Sequence, residues 1–125
     1  MCSSDLWLLL ALLAPAAQAC ELPGGPSQKL QSATYTVLYR TPPLKVSEHF
    51  AVEFAVCPAP ESVRVDAWMP DHRHGMNYRP AVAAQGGGRY RADGLLLHMA
   101  GRWELVFELR SSGGTERLAH SVRLE

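Results

Sequence analysis

From Arg102 to Leu109 the chain places Trp103, Leu105, Phe107 and Leu109 on one parity and Arg102, Glu104, Val106 and Glu108 on the other. Successive side chains point to opposite faces only in an extended strand, so this octet predicts a strand with one apolar face. Such a face must be buried against a second layer. The same period recurs along the chain. Phe50, Val52, Phe54 and Val56 alternate with Ala51, Glu53, Ala55 and Cys57, and Tyr35, Val37 and Tyr39 alternate with Thr34, Thr36 and Leu38. Pro42 and Pro43 end one of these runs and Pro58 and Pro60 the other, because proline cannot donate to a strand ladder. Further strands are expected from Ser62 to Trp68, from Tyr78 to Ala84, from Arg89 onward and from Glu116 to Leu124, separated by Gly86-Gly87-Gly88 and Ser111-Ser112-Gly113-Gly114. No helical period competes. About seven short strands with regular turns predict an all-β, immunoglobulin-like two-sheet sandwich.

The N-terminus sets the compartment. Leu6 to Ala14 are apolar, Pro15 follows, and Ala17-Gln18-Ala19 has the small-residue form of a cleavage site, which predicts a signal peptide over residues 1–19. A membrane span needs about 20 apolar residues, and Pro15, Gln18 and Glu21 cut this run short. Asp5, with no Lys or Arg beside it, departs from the usual basic start of such a segment. The predicted organisation is a signal over 1–19, an extended leader over 20–32 rich in Pro, Gly, Ser and Gln, and one domain over 33–125. Exported, the protein would lie in the periplasm or an equivalent compartment, with no transmembrane span once the signal is removed.

Cys2 leaves with the signal, and of the three cysteines Cys20 and Cys57 remain, which in an oxidising compartment predicts a disulfide. Two alternatives stay open: Cys20 as a lipid-accepting residue, or Cys57 as a small buried apolar group. The whole chain balances 12 Lys and Arg against 12 Asp and Glu, and losing Asp5 leaves one net positive charge. A neutral domain without a basic stripe is not built for nucleic acid or for anionic lipid.

Trp68-Met-Pro-Asp-His-Arg-His-Gly-Met-Asn-Tyr78 breaks the rhythm of strands and polar turns. With His98-Met99 it gathers three of the five histidines and three of the four methionines. Imidazole suits several first-row metals, whereas a thioether is soft and favours Cu(I). His72, His74, Met76 and His98 are therefore candidate copper ligands, with Met99 as an optional one and Asp66 and Asp71 as candidate orienters of the imidazoles. In an extended strand His72, His74 and Met76 would be spaced about 6.6 Å apart, too far to share one ion without a turn. Pro70 and Gly75 allow that turn. The competing reading makes Met69 and Met99 core filler, the His72–His74 segment a solvated loop, and Asp71 and Asp66 turn formers. His49 and His120 read as surface or hydrogen-bonded histidines.

Enzyme signatures are missing: there is no Gly-x-Ser-x-Gly, no His-Glu-x-x-His, no phosphate loop and no Cys-x-x-Cys. The chain is expected not to be an enzyme. Asp66 to Met76, Gly88-Arg-Tyr90 and Leu97-His-Met-Ala-Gly-Arg-Trp103 together resemble the YtkA-like and FixH-like periplasmic domains, whose pattern is Met-Pro, a His/Met/Gly-rich turn, Gly-x-Tyr and Met-x-Gly-x-Trp. That resemblance covers Tyr35 to Glu125 and implies an immunoglobulin-like or cupredoxin-like sandwich associated with copper handling and oxidase assembly. A looser similarity is to the PCuAC-type copper chaperones, through the spacing of Met76 and His98. Their pattern departs at Val65 and Ala100, where further ligands are expected. Copper carriage or delivery to an envelope cuproprotein or oxidase-assembly partner is the expected function. The alternative is a non-metal interaction module docking through Trp68, Arg73 and Tyr78, residue types that interfaces favour.

Overall fold

Nine strands and no helix form among residues 20–125, which the computed structural model describes. The segment read as a signal lies outside the described residues. β1 (Gln28–Gln31), β2 (Thr36–Arg40), β3 (Phe50–Cys57), β7 (Arg89–Leu95) and β6 (Ala81–Gly86) make one sheet in the order β1-β2-β3-β7-β6. β5 (His74–Gly75), β4 (Ser62–Met69), β8 (Gly101–Ser111) and β9 (Gly114–Leu124) make the second, in the order β5-β4-β8-β9. All pairings are antiparallel. The all-β sandwich is as the alternation predicts.

Each predicted apolar face is the buried one. Tyr35, Val37 and Tyr39, then Phe50, Val52, Phe54 and Val56, then Trp103, Leu105, Phe107 and Leu109 all lie in one core. Phe54 lies at its centre, stacked on Tyr90 at 5.2 Å and edge-on to Phe107 at 5.2 Å. Tyr90 therefore explains the Gly-x-Tyr signature as packing, and Gly88 supplies the turn with φ +75° and a carbonyl that accepts the Val56 amide at 2.9 Å. A second bridge between the sheets joins the Tyr39 hydroxyl on β2 to Nδ1 of His120 on β9. Burial pushes the Tyr39 phenol up to about 12, so it remains a neutral donor. His120 is thus hydrogen-bonded, and His49 is exposed with its ring edge-on to Tyr78.

The segment read as a leader ends in a strand. Gln28–Gln31 pairs with β2 although Gln-Lys-Leu-Gln carries no apolar alternation, because an edge strand needs only a free ladder, and Leu30 alone packs against the core. The preceding residues are fastened twice. Arg40 donates to the carbonyls of Leu22 and Gly25 at 3.3 Å each and to Pro23, while also pairing with Glu53. Cys20 and Cys57 form the disulfide, with Cα atoms 5.5 Å apart across a separation of 37 residues. A closed loop of that length stabilises the fold by about 4 kcal/mol on the chain-entropy account.

The sandwich has two unlike ends. β3 finishes at Cys57, and Pro58 to Glu61 carry the chain across to β4 beside the β6–β7 turn. There Cys20, Cys57, Gly88 and Arg89 line a cleft of about 950 Å³ with no His or Met in its wall. At the opposite end lie the close of β4, the short β5 and the crossover from β7 to β8. The histidine and methionine segments occupy this second end.

Candidate metal centre

The β4–β5 hairpin folds as Pro70 allows. Its register pairs Met69 with His74, leaving Pro70 to Arg73 as the loop. The His72 amide donates to Met69 O at 3.2 Å, with Pro70 in the position where its fixed φ suits a turn. Arg73 takes a left-handed φ of 54° to rejoin the ladder. Directly paired residues share a face, so His74 points to the same inner side as the buried Met69. The turn also folds His72 back, and the two imidazoles stack with centroids 5.7 Å apart.

The second histidine segment arrives from the other sheet. Leu96 and Leu97 are buried as the chain leaves β7, and Leu97 O accepts the Ser47 amide at 2.8 Å. Met99 O accepts Nε1 of the buried Trp103 at 3.0 Å. Held on both sides, His98 brings its ring within 5.2 Å of His74 and 5.4 Å of Trp103, while Trp103 also meets His74 at 6.1 Å. Gly101, in the Met-x-Gly-x-Trp signature, sits at φ +128°, and a Cβ there would fall 2.8 Å from Met69 Cε. We expect Gly101→Ala to cost about 2 kcal/mol, from backbone strain and overpacking together. A urea denaturation midpoint unchanged from wild type would refute this.

The geometry sorts the candidate ligands. His72 is exposed, His74 and His98 are half-buried, and Met76 and Met99 are half-buried against the core on the segments that carry His74 and His98. His74 Nδ1 lies 3.2 Å from Gly75 O, so with the N–H donated there its Nε2 lone pair is free for a ligand. His98 Nδ1 is buried with no hydrogen-bond partner. An orphaned buried nitrogen costs about 1–3 kcal/mol, so it is the atom in this cluster whose state a bound ion would improve most. Among the described residues no three His, Cys, Asp or Glu side chains are grouped to hold a metal ion. The donor types gathered at this end are imidazole, from His74 and His98, and thioether, from Met76 and Met99 on the same segments. That donor set fits Cu(I) rather than a tetrahedral zinc or an all-oxygen site.

Both predicted orienters are otherwise engaged. Asp66 lies on the outer, exposed parity of β4, opposite the face His74 shares with Met69, and its Oδ1 accepts the Ala67 amide at 2.8 Å. Asp71 leaves the turn toward Arg102, at 3.2 Å. Neither reaches an imidazole. Met69, fully buried, is core. The residue missed in the sequence is Trp103, which walls both inner histidines; its strand parity marked it as core without showing that its end of the strand meets the crossover. Val65 and Ala100, where the chaperone pattern would place ligands, are a buried core residue and an exposed bend.

No curated protein and no solved structure matches the chain. No helix among the described residues is long and apolar enough to cross a membrane. The YtkA-like family profile matches residues 29–108, which take in strands of both sheets, the whole β4–β5 turn and the His98 crossover. The chain belongs to the YtkA-like family.

Proposed function

We propose that this exported, periplasmic-type domain binds copper as Cu(I) through residues drawn from His72, His74, Met76, His98 and Met99, and carries or delivers it in the cell envelope. The observation that carries the reading is the unpartnered, buried Nδ1 of His98, set between His74 and Trp103, with Met99 next to it in the chain. Family membership and the Cys20–Cys57 disulfide support export. Delivery would proceed by ligand exchange: a half-exposed site of imidazole and thioether can pass the ion to a partner without any change in its oxidation state. An envelope cuproprotein or an oxidase-assembly factor is the natural recipient.

The test is an anaerobic Cu(I) titration of the purified protein against a competing chromophoric chelator. Wild type should bind one equivalent, and His74→Ala/Met76→Ala should lose about 100-fold in affinity, at least the loss that supporting residues of metal sites produce. Failure of the wild type to compete would sink the copper reading.

A non-metal interaction module is the second reading, and one observation favours it. The large apolar residues exposed among those described, Val46 at 37%, Trp68 at 37% and Tyr78 at 46%, all sit at the histidine end. Exposed aromatics gathered at one end are what a docking surface provides. On that reading, metal would be negligible in the protein as isolated and Trp68→Ala would weaken partner binding while leaving the fold intact.

A further inference from the structure

The three imidazoles do not converge; they form a file. His72 is exposed on the turn, its ring is 5.7 Å from that of the half-buried His74, and His74 is 5.2 Å from His98, whose Nδ1 is buried. No three of the His, Cys, Asp and Glu side chains described are grouped for one ion, so one imidazole of the three is left outside any shared site. His72 is the outermost. Resting on the copper reading above, we infer that His72 is an entry and exit ligand, which captures Cu(I) at the surface and hands it to His74 and His98, and is not part of the resident site.

The chemistry of each step is substitution at a single ion. His72 contributes a lone pair at the mouth, His74 Nε2 then displaces solvent from the ion, and the bond to His72 breaks as His98 closes the inner set. No electron moves and no proton need be carried by another group. The path is reversible, so an entry ligand must speed release as much as capture. Removing it therefore slows association and dissociation together and leaves their ratio unchanged. A resident ligand behaves otherwise, since losing it raises the dissociation rate and weakens affinity.

The experiment is stopped-flow mixing of Cu(I) with the protein, following quenching of Trp103, whose ring lies 5.4 Å from His98, beside equilibrium chelator competition. His72→Ala should slow association and release about 10-fold each while affinity stays within about threefold of wild type. His72→Met, which restores a soft donor, should recover most of the rate, and His98→Leu should lose affinity outright. His72 is exposed on a turn, so the circular dichroism of His72→Ala should match wild type. A His72→Ala protein that loses affinity as His98→Leu does, with association unchanged, would make His72 a resident ligand and overturn the inference. Absence of Cu(I) binding in wild type would instead remove the copper reading beneath it.

Discussion

Trp103→Ala should cost this domain about 4–5 kcal/mol and leave much of it unfolded in mild denaturant, the upper range for truncating a buried aromatic. Trp103 is fully buried where the last turn of the crossover meets β8. Its removal would leave a cavity in the core that also holds Met69 and Leu97, orphan the Met99 carbonyl that now accepts Nε1, and take away the wall against which His74 and His98 rest. Against a typical total of 5–15 kcal/mol, one such loss is a large share of the whole. Trp103→Phe separates the contributions, because it keeps most of the packing and deletes the hydrogen bond, and should cost about 1–2 kcal/mol. Guanidinium denaturation followed by circular dichroism reads both. A midpoint for Trp103→Ala within a few tenths molar of wild type would show that this end of the sandwich is not continuous with the core.

The prominence of Trp103 in the sequence and its hidden second role illustrate what was legible. Strict alternation over 50–57 and 102–109 gave those strands their positions and inner faces, because a one-residue slip would have turned the whole apolar set to solvent. β1 carried no such signal, since its pairing rests on the backbone ladder and its placement on Arg40 and the disulfide. β6 begins at Ala81, later than the sequence suggested, because Pro80 has no amide for the ladder. The histidine cluster was legible as composition but not as arrangement. That Pro70 would turn the chain so that His72 stacks on His74 follows from local geometry, whereas the arrival of His98 from the other sheet is a tertiary fact about where β7 ends and β8 begins. The reading of Asp66 as an orienter failed for the reason the strands succeeded: parity put it on the opposite face from His74.

His98→Leu should move stability and metal binding in opposite directions. In the free protein Nδ1 of His98 is buried without a partner, and replacing a group of this kind by an apolar side chain of similar size is neutral or stabilising. We expect a gain of about 1 kcal/mol in the metal-free domain, which raises the melting temperature by roughly 4–8 °C for a domain of this size. Cu(I) affinity should fall by at least about 1,000-fold, equivalent to ~4 kcal/mol, because the innermost donor is gone. Wild type should in turn gain about 2.7 kcal/mol at a free Cu(I) concentration 100 times its dissociation constant, and the variant almost nothing. Thermal melts of both proteins, anaerobic and with or without buffered Cu(I), give four numbers that decide the matter. A variant that melts lower than wild type without copper would mean that the nitrogen is already satisfied in the free protein, and the physical ground for placing an ion there would be lost. A variant that melts higher and ignores copper would identify His98 as a position where stability is given up for binding, as expected of a functional site inside an otherwise consistent fold.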